Sequence, residues 1–101
     1  MIKILGHMMR IQYDATLLRD REIYGWSSGP KNIIAFDPTV CLSQQQDTLL
    51  HEIIEMINNN LQLQLEHRAI QSLGSVLQQV IVDNPHIFKI KIPKPDKEKA
   101  G

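Results

Sequence analysis

The spacing of apolar residues divides the chain into a β-prone first part and a helical second part. Between Ile2 and Tyr13, Met9, Ile11 and Tyr13 alternate with Arg10 and Gln12, the period of a half-buried strand. Asp14 to Glu22 is charged and reads as a loop or irregular turn. Ile23-Tyr24-Gly25-Trp26 and Asn32-Ile33-Ile34-Ala35-Phe36-Asp37 then flank Ser27 to Lys31, a cluster of turn formers, which predicts a β-hairpin. Asp37-Pro38 ends its second strand, because proline brings no amide proton to a ladder.

The period changes after Cys41. Ser43-Gln44-Gln45-Gln46 fits a capping box and predicts a helix start. Leu49, Leu50, Ile53, Ile54, Met56, Ile57 and Leu61 follow at three- and four-residue spacing, gathered on one broad face. Asn58-Asn59-Asn60 weakens the end of this helix, since Asn favours caps and turns. A second helix is expected from about Glu66 to Asp83, with Ile70, Leu73, Leu77, Val80 and Ile81 as its stripe, Val76 at the margin, and Asn84-Pro85 as its stop. The short connection predicts an antiparallel pair. Ile87, Phe88, Ile90 and Ile92 suggest a last short edge strand, and the charged segment Pro93 to Gly101 reads as a disordered tail.

These elements predict one α+β domain over residues 1–92, in which a small antiparallel sheet of about three strands packs on a two-helix hairpin. The expected core is Leu50, Ile53, Ile57, Leu73, Leu77 and Ile81. A length of 101 residues with 43% hydrophobic and 22% charged residues suits one buried core. Lys plus Arg and Asp plus Glu both number 11, so no overall field favours nucleic acid or an acidic membrane. The lysines at 89, 91, 94, 97 and 99 are interrupted by Asp96 and Glu98 and lack interleaved aromatics beyond Phe88, and no nucleic-acid partner is expected. Cys41 is the only cysteine, which excludes an internal disulfide and makes the reducing cytoplasm the expected location. Met1 to Arg10 is too short an apolar run for a signal-peptide core, and no stretch approaches the roughly 20 residues of a membrane span, so no membrane partner is expected.

The first helix carries His51-Glu52-Ile53-Ile54-Glu55, one residue away from the zinc-peptidase pattern H-E-x-x-H. Residues four apart share a helix face, so His51 and Glu55 can offer two ligands to one ion. In H-E-x-x-H proteases the glutamate after the first histidine is the general base toward a metal-activated water, the role that falls to Glu52. Glutamate in place of the second histidine keeps a ligand, because catalytic zinc often uses two histidines and one glutamate. His67 opens the second helix and, in an antiparallel pair, lies beside the C-terminal half of the first. His51, Glu55 and His67 therefore form the candidate metal site, with zinc as the expected cofactor. The bland alternative is a solvated His–Glu pair, since such pairs are common on helix surfaces. His7 and His86 are single residues on β-prone segments.

Thr48-Leu49-Leu50-His51-Glu52-Ile53-Ile54-Glu55-Met56-Ile57-Asn58, then Leu65-Glu66-His67-Arg68-Ala69-Ile70 and Leu77-Gln78-Gln79-Val80 up to Asp83-Asn84-Pro85, resemble a family of short phage and prophage proteins related to zincin-like metallopeptidases. Its members read L-L-H-E-x-x-H or L-L-H-E-I-I-E here, after a β-rich start with a Tyr-Gly turn such as Tyr24-Gly25. The resemblance spans Ile2 to Pro85. It implies a minimal zincin core, a metallopeptidase activity on a peptide or protein substrate, His51 as a zinc ligand and Glu52 as general base. The competing expectation is a non-catalytic phage accessory or protein-binding module that keeps the fold. Glu55 in the histidine's place favours that alternative, and the retained His51-Glu52 pair favours the enzyme.

Overall fold

A computed structural model describes residues 1–88. The order of elements is β1 (Ile2–Ile4), β2 (His7–Tyr13), a π-helical turn (Leu17–Arg21), β3 (Gly25–Ser28), β4 (Ile33–Phe36), α1 (Leu42–Leu61), α2 (His67–Asp83) and a short α3 (Pro85–Phe88). The expected α+β class holds, with a four-stranded sheet in the order β1-β2-β4-β3 and a helical pair.

The single first strand expected from the alternation is a hairpin. Leu5 and Gly6 both take positive φ, 51° and 83°, and this two-residue turn pairs Ile4 with His7. The sheet is also mixed rather than antiparallel throughout. β4 enters between β2 and β3, runs parallel to β2 with Arg10 opposite Ile33, and runs antiparallel to β3 with Ser28 opposite Ile33. All four of its residues are buried, which explains why Ile33-Ile34-Ala35-Phe36 reads as an unbroken apolar run. The β3–β4 hairpin exists as expected, but its first strand extends through Ser27 and Ser28. The turn is tightened by the Asn32 amide donating to the Gly29 carbonyl at 3.1 Å.

Asp37 holds the end of β4 against the π-helical turn. Its buried carboxylate accepts from the Leu18 amide at 2.9 Å, the Thr39 amide at 2.8 Å and the Thr39 hydroxyl at 2.6 Å. Burial pushes its pKa up, but these three donors outweigh that and hold it below the ordinary carboxylate value.

α1 packs its Leu49 and Met56 on Ile4, Met9 and Ile34 of the sheet, with Ile53 and Ile57 at the margin. Its start differs from the expected capping box. The N-cap is Cys41 and no side chain caps it; Ser43 lies inside the first turn, and Gln46 is buried where its side-chain oxygen accepts from Gln78 at 3.0 Å. The three asparagines stay helical. Asn58 then organises the helix exit, its backbone carbonyl accepting from Leu63 at 3.1 Å and its side chain from the Leu65 amide at 2.9 Å, while Gln62 adopts a left-handed conformation.

α2 returns antiparallel along α1, so that His67 neighbours Glu55 at one end and Ser75 reaches Asp47 at the other. It packs chiefly on α1, through Ile70 and Gly74. Leu73 and Leu77, expected in the core, are therefore 46% and 42% exposed. The apolar arc of α2 is wider than the strip one neighbouring helix can cover. Leu50 is buried, and Ile53, Ile57 and Ile81 are half-buried. The expected edge strand begins instead with the helical turn Pro85–Phe88, and its remainder to Ile92, like the expected tail, lies outside the described residues. Among the described residues no helix is long and apolar enough to cross a membrane.

Candidate metal centre

The three predicted ligands come together. Glu55 is central: its Oε2 lies 3.6 Å from His51 Nε2 and 3.7 Å from His67 Nδ1, and one ligand atom from each residue falls within 4.8 Å of the others. The two imidazole rings meet edge to face with centroids 5.1 Å apart. Donors about 2.1 Å from one tetrahedral ion stand roughly 3.4 Å from each other, so the two Glu55 distances suit a shared ion, and the two imidazoles close on it by side-chain rotation. The chemistry also fits, since two imidazoles and one carboxylate form a donor set that borderline-soft divalent ions accept. This His-Glu-His group could hold a metal ion.

Each ligand owes its place to local sequence. His51 and Glu55 are one turn apart on α1 and their side chains are mostly buried, 18% and 27% exposed. His67 is the first residue of α2 and its side chain is 70% exposed, so the site is closed by helix on one side and open on the other. The turn from Gln62 to Glu66, set by Asn58, decides how soon His67 arrives. Gly74 decides how near. A methyl group there would stand 3.3 Å from the His51 amide nitrogen, closer than most packing contacts, and 3.4 Å from its Cα.

Glu52, next to His51 on α1, is 9% exposed and lines the same cleft as the ligands. Burial pushes its pKa above the ordinary carboxylate value; the Ser27 hydroxyl and the nearby His51 oppose that rise. β3 can come this close because residue 25 is glycine. A Cβ at Gly25 would meet both the Ala35 carbonyl and the Thr48 methyl at 2.6 Å.

Ligands and Glu52 share one open cleft of about 410 Å³, walled on one side by Ile23, Tyr24 and Gly25 and on the other by Asp47 and Gln71. Its sheet-side wall leads into β3, an edge strand. Asp47 lies one turn before His51 and accepts from Ser75 at 3.0 Å, while Gln44 donates to Thr48 at 3.2 Å. His7 and His86 do not join the ligand group.

The ligand set is readable from the sequence, but its supports are not: Asn58 reads only as a weak helix end, Gly25 and Ser27 only as parts of turns, and Gly74 as one more position of the second helix. For Gly74 a signal existed: a glycine inside a helical pattern costs about 1 kcal/mol against alanine, which implies a packing reason. For Ser27 no signal existed. Comparison of the chain with models of protein families, with curated proteins and with solved structures finds no match.

Proposed function

We propose that this protein is a zinc-dependent peptidase of zincin type, with His51, Glu55 and His67 as the metal ligands and Glu52 as the general base. One observation carries the reading: a histidine from a second helix converges on the His51–Glu55 pair beside a buried, otherwise unexplained carboxylate, at the wall of an open cleft. A solvated surface pair requires neither the third donor nor the buried Glu52. The resemblance of the stretch from Thr48 to Pro85 to zincin-like phage and prophage proteins supports the same reading.

A zinc ion held by this donor set supplies Lewis acidity toward a water molecule and a substrate carbonyl. Glu52 takes a proton at its carboxylate from the attacking water and returns it to the departing amine. Its partial burial helps, because a base with a raised pKa lies nearer the working pH and gives the proton back more readily. The exposed side of His67 and the open cleft leave room for an extended peptide. The exposed free thiol of Cys41 is consistent with a reducing cytoplasm.

The test is calorimetric titration of chelator-treated protein with zinc, followed by hydrolysis of fluorescein-labelled casein by wild type and Glu52→Gln. Zinc uptake at micromolar concentration with hydrolysis that Glu52→Gln abolishes supports the reading. Absence of zinc uptake sinks it. Zinc uptake without hydrolysis of casein or of a random peptide pool favours the second reading, a metal-stabilised accessory or binding module, which Glu55 in place of histidine also favours.

A further inference from the structure

α2 carries more apolar surface than α1 covers. Ile70 and Gly74 are buried, while Leu73, Val76 and Leu77 are exposed, Val76 at 58%. At 3.6 residues per turn these three and the half-buried Val80 form one continuous strip beside the α1 contact. No charge interrupts it. From Ala69 to Val82 the helix holds no Asp, Glu, Lys or Arg, and the first such residues at its two ends are Arg68 and Asp83. Both are exposed, and among the described residues neither takes part in an ion pair. An exposed apolar strip without charges at its centre and with charges at its rim has the make-up of a protein interface.

The order of residues says which partner fits. The strip is symmetric about the point between Val76 and Leu77, so a two-fold axis there sets Leu73 beside the partner's Val80 and Val76 beside the partner's Leu77. Such an isologous contact needs no second kind of surface. The same axis brings Arg68 within one helical turn of the partner's Asp83, once at each end, and aligns the two helix dipoles head to tail. A parallel pair would set arginine on arginine and aspartate on aspartate. Gln71, which lines the cleft, lies on the opposite side of α2 from the strip, so pairing leaves the cleft open.

We propose that this strip is the contact of a two-fold symmetric homodimer, in which the α2 helices of two copies pack antiparallel and Arg68 of each copy meets Asp83 of the other. The dimer does not depend on the peptidase reading. One helical face is small beside a permanent interface, so the complex is a transient one with a dissociation constant on the order of 100 µM.

The test is sedimentation equilibrium of the full-length protein in low-salt buffer, from about 10 µM to about 1 mM. Wild type is expected to rise from the monomer mass of 11.6 kDa toward twice that value. Val76→Glu puts a carboxylate at the centre of the contact and should weaken it more than tenfold, with the thermal midpoint of the dilute protein unmoved, because the position is exposed in the monomer. Arg68→Glu and Asp83→Arg each set like charges face to face and should weaken it roughly three- to tenfold, while the double variant restores wild-type association. Wild type that stays monomeric throughout overturns the proposal. Nuclear Overhauser contacts from Val76 to residues 89–101 would then give the strip to the chain's own last residues, and their absence would give it to a different protein. A dimer that Val76→Glu leaves intact uses another face and also overturns it. So does a dimer indifferent to both single charge variants, or one that the double variant fails to restore, since either result rules out the antiparallel pairing.

Discussion

Gly74 of α2 lies against the backbone of His51, where a methyl group on its Cα would stand a tight 3.3 Å from the His51 amide nitrogen and leave little room for anything larger. This contact sets the distance between the helix that carries two ligands and the helix that carries the third. The contacting atoms are main-chain atoms in the middle of a helix, which cannot swing aside as a side-chain tip can. A larger residue at 74 therefore separates α1 from α2 and draws His67 away from Glu55. Gly74→Leu is expected to lower the thermal midpoint and to weaken zinc binding by more than tenfold. Gly74→Ala gains about 1 kcal/mol of helix propensity, so its stability changes little while its zinc affinity still falls. Calorimetry on both variants checks this; unchanged zinc affinity in Gly74→Leu refutes the spacing role.

Zinc needs the lone pairs of neutral imidazoles, so acidification weakens binding as protons compete for the histidines. His51→Ala and His67→Ala should each weaken binding by well over tenfold in a zinc titration at neutral pH. Equal affinity in His67→Ala alone would place the third ligand elsewhere and leave the α1 pair intact.

Glu52 carries a sign that a purely structural carboxylate would not. Its folded pKa lies above its unfolded value because of burial, so the folded state holds the proton more tightly. By linkage, the charged form costs stability, and that cost appears as pH rises through the folded pKa and vanishes below the unfolded value of about 4.3. Glu52→Gln in the metal-free protein should be at least as stable as wild type at pH 7 to 8, with the difference closing on acidification. A clear drop in thermal midpoint at pH 8 contradicts this.

Asp37 has the opposite sign. Its folded pKa is held down by Thr39 and the Leu18 amide, so its contribution is fully present above the unfolded value of about 3.9 and is lost as pH falls through the folded pKa. Asp37→Ala leaves the two amides without their acceptor and should cost roughly 1–3 kcal/mol at pH 7. Urea titrations at pH 7 and pH 3 should show a large gap between variant and wild type at the first and a smaller one at the second.

Packing on α1 and packing on α2 should respond differently to truncation. Leu49 is 1% exposed between α1 and the sheet, and Leu49→Ala should cost roughly 2–5 kcal/mol. Leu73→Ala and Leu77→Ala, at half-exposed positions, should cost about 1 kcal/mol or less. Equal losses at positions 49 and 77 would contradict the one-sided packing of α2.

The sequence carried the ligand set and the helical pair because both are local: a four-residue spacing and a short connection bring His51, Glu55 and His67 together without reference to the sheet. The β3–β4 hairpin was legible for the same reason, from its cluster of turn formers. The parallel pairing of β2 with β4 was not, since nothing in either strand names its neighbour, and the Leu5-Gly6 turn lacks the usual Asn-Gly or Asp-Gly signal. Leu73 and Leu77 were misplaced because helical periodicity shows that a face is apolar without showing how wide a partner covers it. Ser43 matches a cap pattern, yet the N-cap is Cys41, two residues earlier, where the Gln45 side chain already holds the preceding loop by donating to the Pro38 and Val40 carbonyls.

The turn between α1 and α2 has a consequence for the chain before it folds. All three ligands lie within one helical hairpin, and the span from Glu55 to His67 is short enough that bringing its ends together costs only about 2 kcal/mol of loop-closure entropy beyond a constant. On the zinc reading proposed above, the denatured chain would retain part of the affinity, and zinc would stabilise the native state by less than its native binding free energy, because only the difference between the two affinities counts. Zinc added to the urea-unfolded protein should accordingly induce helical circular dichroism before the sheet forms, making the hairpin the first part of the molecule that an ion organises.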